Sequence, residues 1–585
     1  MKNKILLRTV LAVAITAAVA ACNSNSSERD DANTLGHTLP APASTPVLDE
    51  TSQALEEVQV TGSRIRREVS GKAAATQQAA DAMMANQSVA ASYAPVMEMR
   101  PVYGPPADTE KYADLVDNGI HRTGVEPVST FSIDVDTGSY SNVRRFLSSG
   151  QLPPADAVRT EELINYFAYD YPRADGDEPF SFATEIAASP WHAGKHLLHI
   201  GIQAVDAENT EHKNSNLVFL VDVSGSMESE DKLGLLKTSL KMLSRQLSAD
   251  DSIAIVVYAG AAGVVLEPTA GNKTAAISRA LDRLSAGGST NGAAGIEEAY
   301  ALAEQQFIEG GINRVLLATD GDFNVGMTDF DALKKLIEEK RRSGISLTTL
   351  GFGTGNYNDQ LMEQLADAGN GNYAYIDNIN EARKVLVDEM SSTLQTVAKD
   401  VKIQIEFNPA VVSEYRLVGY ENRVLAQEDF NNDKVDAGEI GVGHTVTALY
   451  EISLAGSTGQ SVDPLRYNNG TDVPESVADN GNELAYLKLR YKEPDGDTSQ
   501  LLERPLLVSD IVDDMNSTST TYRFAAAVAG FSQLLRDNKG LGDFDYEDVL
   551  GLAAAAKDDD EFGYRSEFIN LVKTAQALSV GPVVN

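Results

Sequence analysis

The stretch LVFLVDVSGSM, residues 217–227, decides how this chain is read. An apolar run without alternation is a strand buried on both faces. It stops at Asp222, and Ser224 and Ser226 follow one residue apart, so the strand ends by presenting a carboxylate and two hydroxyls at one point.

Working outward, residues 215–396 alternate regularly between apolar runs and amphipathic segments. The run LGLLKTSLKMLSRQL puts Leu233, Leu236, Leu240, Leu243 and Leu247 on one helical face. Strand SIAIVVYAG comes next, followed by helices TAAISRALDRL and GIEEAYALAEQQF. Strand RVLLATD, helix FDALKKLIEEKRRSG and strand ISLTTLGFG then lead to helices around Gln360 to Ala368 and Glu381 to Thr393. Strands that are apolar throughout, alternating with such helices, predict a doubly wound α/β domain with a parallel sheet covered on both faces.

In open α/β sheets ligands bind beyond the carboxyl ends of the strands. There the sequence places Asp222, Ser224 and Ser226 after the first strand, Thr290 in the glycine-rich loop AGGSTNGAAG, and Asp320 at the end of RVLLATD. Two carboxylates and three hydroxyls, with no Cys or His, form a hard-oxygen set suited to Mg²⁺, Mn²⁺ or Ca²⁺ and ill suited to Zn²⁺. Neutral hydroxyls leave such an ion residual positive charge, and incomplete ligation leaves a position open for an acidic group of a partner. At these residues the chain resembles the von Willebrand factor type A (VWA) domain, a Rossmann-like fold. The metal-ion-dependent adhesion site of that family is matched at Asp222, Ser224, Ser226, Thr290 and Asp320. The resemblance implies divalent-metal binding completed by a protein ligand's acidic side chain. Structural readings compete with it, since Ser and Asp after a strand are common helix caps and the metal could be merely structural.

Residues 97–207 mix short strands (STFSIDV, PFSFATEI, HLLHIGIQA) with helical stretches and read as an α/β region. From 401 to 585 a β-rich domain (VKIQIEFN, YRLVGY, TVTALYEISL, ELAYLKLRY) ends in three helical stretches. Ser129 to Pro172 and Glu428 to Ile452 resemble the regions before and after the type A domain in a family of bacterial lipoproteins, the second being a domain of unknown function. Both flanks contain short strands and are expected to pack together as one support.

The opening MKNKILLRTVLAVAITAAVAAC, residues 1–22, reads as an export signal. VAAC resembles a lipobox, which implies lipidation (palmitate and related acyl chains) of Cys22, the one cysteine of the chain. No later segment has the ~20 unbroken apolar residues a membrane span needs. The expectation is therefore lipid anchoring in the cell envelope, at the outer membrane of a Gram-negative bacterium. Residues 23–96 are rich in Ser, Ala, Thr and Gln and read as a disordered tether with a reach of about 50 Å. Within it, Glu56 to Glu68 (EEVQVTGSRIRRE) resembles the start of a TonB-dependent receptor plug, and a TonB-system or other periplasmic contact is one expectation for it.

A net charge of −37, from 85 acidic and 48 basic residues, opposes nucleic-acid binding, since phosphates would be repelled. Asp134 to Gly138 (DVDTG) approaches the nucleophile loop of haloacid-dehalogenase-type phosphatases, but Gly138 stands where that family has threonine or valine. An aspartic protease would need a second such loop for its carboxylate pair. Asp429 to Ile440 begins like an EF-hand but lacks its glycine and its bidentate glutamate. His196 and His199 read as ordinary strand residues. The expectation is a binding module and not an enzyme. A metal-independent scaffold acting through the flanks is the alternative, and a phosphoryl-type hydrolase is the less favoured one.

Overall fold

The computed structural model describes residues 109–174, 178–206, 213–288, 292–321, 330–463, 482–537 and 539–580. The apolar run before Asp222 forms strand β5 (Ser215–Asp222), every residue of which is buried. It lies between β8 (Ile312–Thr319) and β6 (Ser252–Tyr258) in a sheet completed by β9 (Ser346–Phe352), β10 (Tyr373–Ile376) and β7 (Ala262–Ala270), in the order β10-β9-β8-β5-β6-β7. The alternation of the strand assigns its side chains to two cores. Leu217, Phe219 and Val221 pack under helices Leu235–Leu243 and Thr274–Asp282, with Leu236, Leu240 and Leu281 as their neighbours. Val218 and Leu220 pack with Ile296, Ile337 and Leu365 from helices Gly292–Gln305, Phe330–Lys340 and Asp359–Ala368 on the other face. The doubly wound α/β fold is thus present.

Two edge strands were not expected. β7 runs antiparallel to β6, so the sheet is mixed and not purely parallel, and β10 is a four-residue parallel strand beside β9. Both lack the long apolar run that marks the central strands. β7 carries Glu267 and Pro268, and an edge tolerates proline because no ladder donor is needed there.

The two flanks do not form separate sheets. β2 (Val128–Ser132) pairs with β11 (Thr396–Phe407), and β4 (His196–Ala204) pairs with β14 (Thr445–Leu454), both antiparallel. One sheet, β1-β12-β14-β4-β3-β17, comprises His121–Arg122, Val412–Val418, β14, β4, Phe180–Ala188 and Ile511–Val512. The other joins β11 and β2 to Gly438–Gly441, Glu483–Lys492 and Ser499–Leu507. Phe131, Ile200, Ile403, Tyr450 and Leu487 fill the space between them. Helices Thr520–Leu535, Tyr546–Ala555 and Tyr564–Ser579 cover the outer face of the first sheet through Phe524, Phe531, Val549 and Phe568. The expected composite support is therefore two shared sheets.

Charged groups join this support to the type A domain. Arg159, 1% exposed, reaches Asp359 at 2.5 Å and also pairs with Glu162. Arg423 contacts Asp134 at 3.1 Å, Glu363 at 3.1 Å and Asp367 at 2.6 Å. Arg144 binds Glu381 at 2.8 Å and pairs with Asp377.

Candidate metal centre

β5 delivers Asp222 to the carboxyl edge of the sheet fully buried, and its two oxygens are used at once. The Ser224 amide donates to Asp222 Oδ1 at 2.8 Å, which folds the chain into a tight turn. The Thr319 hydroxyl, on neighbouring β8, donates to Oδ2 at 2.8 Å. Burial pushes the Asp222 carboxyl up to about 6, against the hydrogen bonds from Ser224 and Thr319, and the Asp320 charge adds to the rise. A carboxylate so placed gains from a cation.

The same turn sets Ser224 Oγ 2.9 Å from Ser226 Oγ. Two neighbouring ligands of an octahedral Mg²⁺, each about 2.0–2.1 Å from the ion, stand about 2.9 Å apart, so the hydroxyl pair fits one edge of such a shell. Asp320 follows β8 and is fully buried. The Gly287 amide donates to Val223 O at 2.8 Å, and the Gly225 amide donates to Gly288 O at 3.1 Å, which brings the glycine-rich loop onto the serine turn. Thr290, two residues further on, lies outside the described residues. The fold thus brings Asp222, Ser224, Ser226 and Asp320 to one edge, and the donor set is all hard oxygen.

Lys232 is the residue the sequence reading missed. It is 6% exposed, and its Nζ donates to Asp320 Oδ2 at 2.9 Å and to Asn356 Oδ1 at 2.8 Å. Asn356 Nδ2 donates to the same Asp320 oxygen at 3.1 Å. In the sequence Lys232 closes the charged triplet EDK and carries no sign of burial. Its stem is packed on Gly353, where φ is +82° and a Cβ would fall 2.2 Å from Lys232 Cε, so both backbone and space require glycine. The loop carrying Asn356 is held in turn by the first described residues. The Thr109 and Lys111 amides donate to Gly355 O at 2.9 Å and Tyr357 O at 3.0 Å, and Glu110 Oε1 accepts from the Gly355 amide at 2.8 Å.

The motifs set aside at sequence level have structural roles. Asp134 and Asp136 are buried at the joint. Asp136 Oδ1 accepts from the Tyr373 amide at 2.7 Å, and a Cβ at Gly138 would lie 2.2 Å from the Tyr373 ring. Asp134, Glu162 and Glu363 bring oxygens within 4.8 Å of one another, but Arg159 and Arg423 already supply positive charge there. In the EF-hand-like turn ammonium groups occupy the acceptors: Lys402 Nζ donates to Asn432 O at 2.7 Å and Lys492 Nζ to Asp433 O at 2.6 Å. His199 is buried against the Tyr171 hydroxyl at 2.9 Å, and burial pushes its ring down to about 3. Cys22 and Glu56 to Glu68 lie outside the described residues, within which no helix is long and apolar enough to cross a membrane.

Comparison with known proteins bears on the same regions. The model of the von Willebrand factor type A domain matches residues 216–388, and one described as von Willebrand factor matches 106–199. A third, for the C-terminal part of the uncharacterized protein YfbK, matches 392–578. The uncharacterized protein YfbK of Escherichia coli (strain K12) is 48% identical over 478 residues, spanning 80% of this chain and 82% of that protein. The uncharacterized protein sll0103 of Synechocystis sp. is 30% identical over 188 residues, 32% of this chain and 43% of its own length. Among solved structures, a von Willebrand factor type A protein from Catenulispora acidiphila aligns with a TM-score of 0.38 at 17% identity, covering 69% of this chain and 91% of that one.

Proposed function

Because this chain belongs to the family of Escherichia coli YfbK and is built around a von Willebrand factor type A domain, we propose that it is a metal-dependent protein-binding module of the cell envelope. Asp222, Ser224, Ser226, Thr290 and Asp320 would hold one divalent cation, with Mg²⁺ the best fit to the hydroxyl spacing. The cation supplies residual positive charge to an acidic side chain of a protein partner. Around it, the chain's own residues do the positioning: the Ser224 amide and the Thr319 hydroxyl orient Asp222, and Asn356 orients Asp320. Lipidation at Cys22 would fix the body to the outer membrane through the segment 23–96. The observation that carries this reading is the buried Asp222 and Asp320 pair set beside two hydroxyls 2.9 Å apart at the carboxyl edge of the sheet.

The test is Mg²⁺ titration of the full chain and of Asp222→Ala, followed by partner capture from envelope extract in Mg²⁺ and in chelator. Asp222→Ala should lower Mg²⁺ affinity by more than the about 10–100-fold typical of removing an outer-shell partner. Its capture profile should match that of wild type in chelator. Equal capture with and without metal would move the function to the flanking sheets and make the oxygen cluster structural.

A further inference from the structure

At the opposite end of the type A sheet, where β8 begins and β9 follows Gly344, lies a cavity of about 170 Å³. This is far more than the about 10–15 Å³ one water needs. Its walls come from the foot of the type A domain and from the C-terminal domain, and they carry Lys213, Arg314, Arg341 and Lys399 against Glu439 and Asp495. In a chain of net charge −37 the four cations of this lining outnumber its two acids.

Arg314 decides what the cavity is for. It is 2% exposed, yet the groups it touches are neutral: its Nη1 donates to Thr348 Oγ1 at 2.6 Å and its Nη2 to Leu394 O at 3.2 Å. Its Nε is buried with no hydrogen-bond partner among the described residues. Buried guanidiniums are ordinarily paired, because an uncompensated charge in the interior is costly. Of the other three cations only Arg341 has a carboxylate partner among the described residues, Asp436 at 2.7 Å. The acid whose charge favours the ionised Arg314 is Glu439, and Asp495 also lines the cavity. Burial, with the charges of Asp436 and Asp400, pushes the Glu439 carboxyl well up, toward its neutral form, and burial pulls Arg314 down to about 10.

We propose that this cavity is a binding site for a small oxyanion, phosphoryl or carboxylate, which Arg314 anchors and Lys213 and Lys399 help to neutralise. Bound there, the anion ties the foot of the type A domain to the C-terminal domain. The proposal stands independently of the metal reading, since it involves the other end of the sheet.

The test is calorimetric titration and thermal melting of the full chain with inorganic phosphate, with acetate, and with chloride at matched ionic strength. Saturable binding of phosphate or acetate is expected, with a rise in melting temperature of about 2–4 °C over chloride at saturation. The two arms separate a phosphoryl ligand from a carboxylate one. Arg314→Met should abolish the response. If that variant fails to fold, Lys399→Met, which removes a partly exposed cation, should weaken the dissociation constant about tenfold. Equal responses to all three salts, or a Lys399→Met protein that titrates as wild type does, would overturn the proposal.

Discussion

Two places where this molecule gathers carboxylates solve the same electrostatic problem in different ways. At the carboxyl edge of the type A sheet, Asp222 and Asp320 meet one lysine and a set of hydroxyls, and the pieces are held by short local turns. At the joint between that domain and its support, Asp134, Glu162, Asp359, Glu363 and Asp367 crowd around Arg159 and Arg423, which come from chain segments more than 200 residues apart. The first arrangement meets its carboxylates with one lysine and neutral hydrogen-bond donors, whereas the second builds two guanidiniums in. The difference teaches that an acidic cluster signals a ligand only where the protein has not already placed a guanidinium inside it.

The largest effect should come from removing one of those guanidiniums. Arg159→Met leaves Glu162 and Asp359 buried without their partner, and breaking such a pair costs about 3–5 kcal/mol. Urea denaturation should show that loss. Asp222→Ala, measured in chelator, should lose far less, because it removes a carboxylate that burial already disfavours. Similar losses in the two variants would erase the distinction between the two ends.

The joint should also set the pH dependence of stability. Burial pushes Glu161 and Glu162 up to about 8 and Glu363 to about 7, with Glu421 and Asp134 adding to the rise at Glu161 and Arg159 opposing it at Glu162 and Glu363. Their folded values lie above the unfolded value of 4.5, so the folded state holds more protons between these limits. Their contribution is therefore fully present below about pH 4.5 and is lost as pH rises through 7 to 8. A fall of more than about 3 kcal/mol from pH 5 to pH 8 is expected in denaturation series, since each pKa unit is about 1.4 kcal/mol and a single one of these groups accounts for that much. Glu451 has the opposite sign: burial opposes ionisation, but His192, Arg416 and Lys195 hold it at about 2, so its contribution is lost only below pH 4.5. A flat profile between pH 5 and 8 would mean that the joint's carboxylates ionise freely.

The same contrast explains what could be read in advance. β5 and the serine turn are legible because apolar strand and polar stop follow one another within LVFLVDVSGSM, β8 because RVLLATD repeats that pattern, and the helical faces because they repeat at their own period. The short edge strand YAYI and the proline-bearing β7 escape because neither carries a long apolar run. The interleaving of β2 with β11 and of β4 with β14 was expected only as a packing of the two flanks, since pairing across more than 240 residues leaves no local mark. The joint hides in plain charges: Arg159 and Glu162 look like a solvated i, i+3 pair on an exposed helix, and only the fold shows them buried. Lys232 escapes for the same reason.

Lys232 gives the smallest effect and the sharpest one, because among the described residues it is the cation paired with Asp320 at this edge of the sheet. Its ammonium already shares Asp320 Oδ2 with Asn356, so a divalent ion approaching that carboxylate meets a like charge. Lys232→Met keeps most of the stem that packs on Gly353 and removes the ammonium with its hydrogen bonds to Asp320 and Asn356. Mg²⁺ affinity should then rise on the order of tenfold, the scale at which outer-shell changes move metal binding, and the gain should shrink with added salt only slightly, since the pair is buried. A fall in affinity would reverse the assignment: Lys232 would then serve to hold Asp320 in place for the ion, and the metal end, like the joint, would depend on a cation the chain supplies itself.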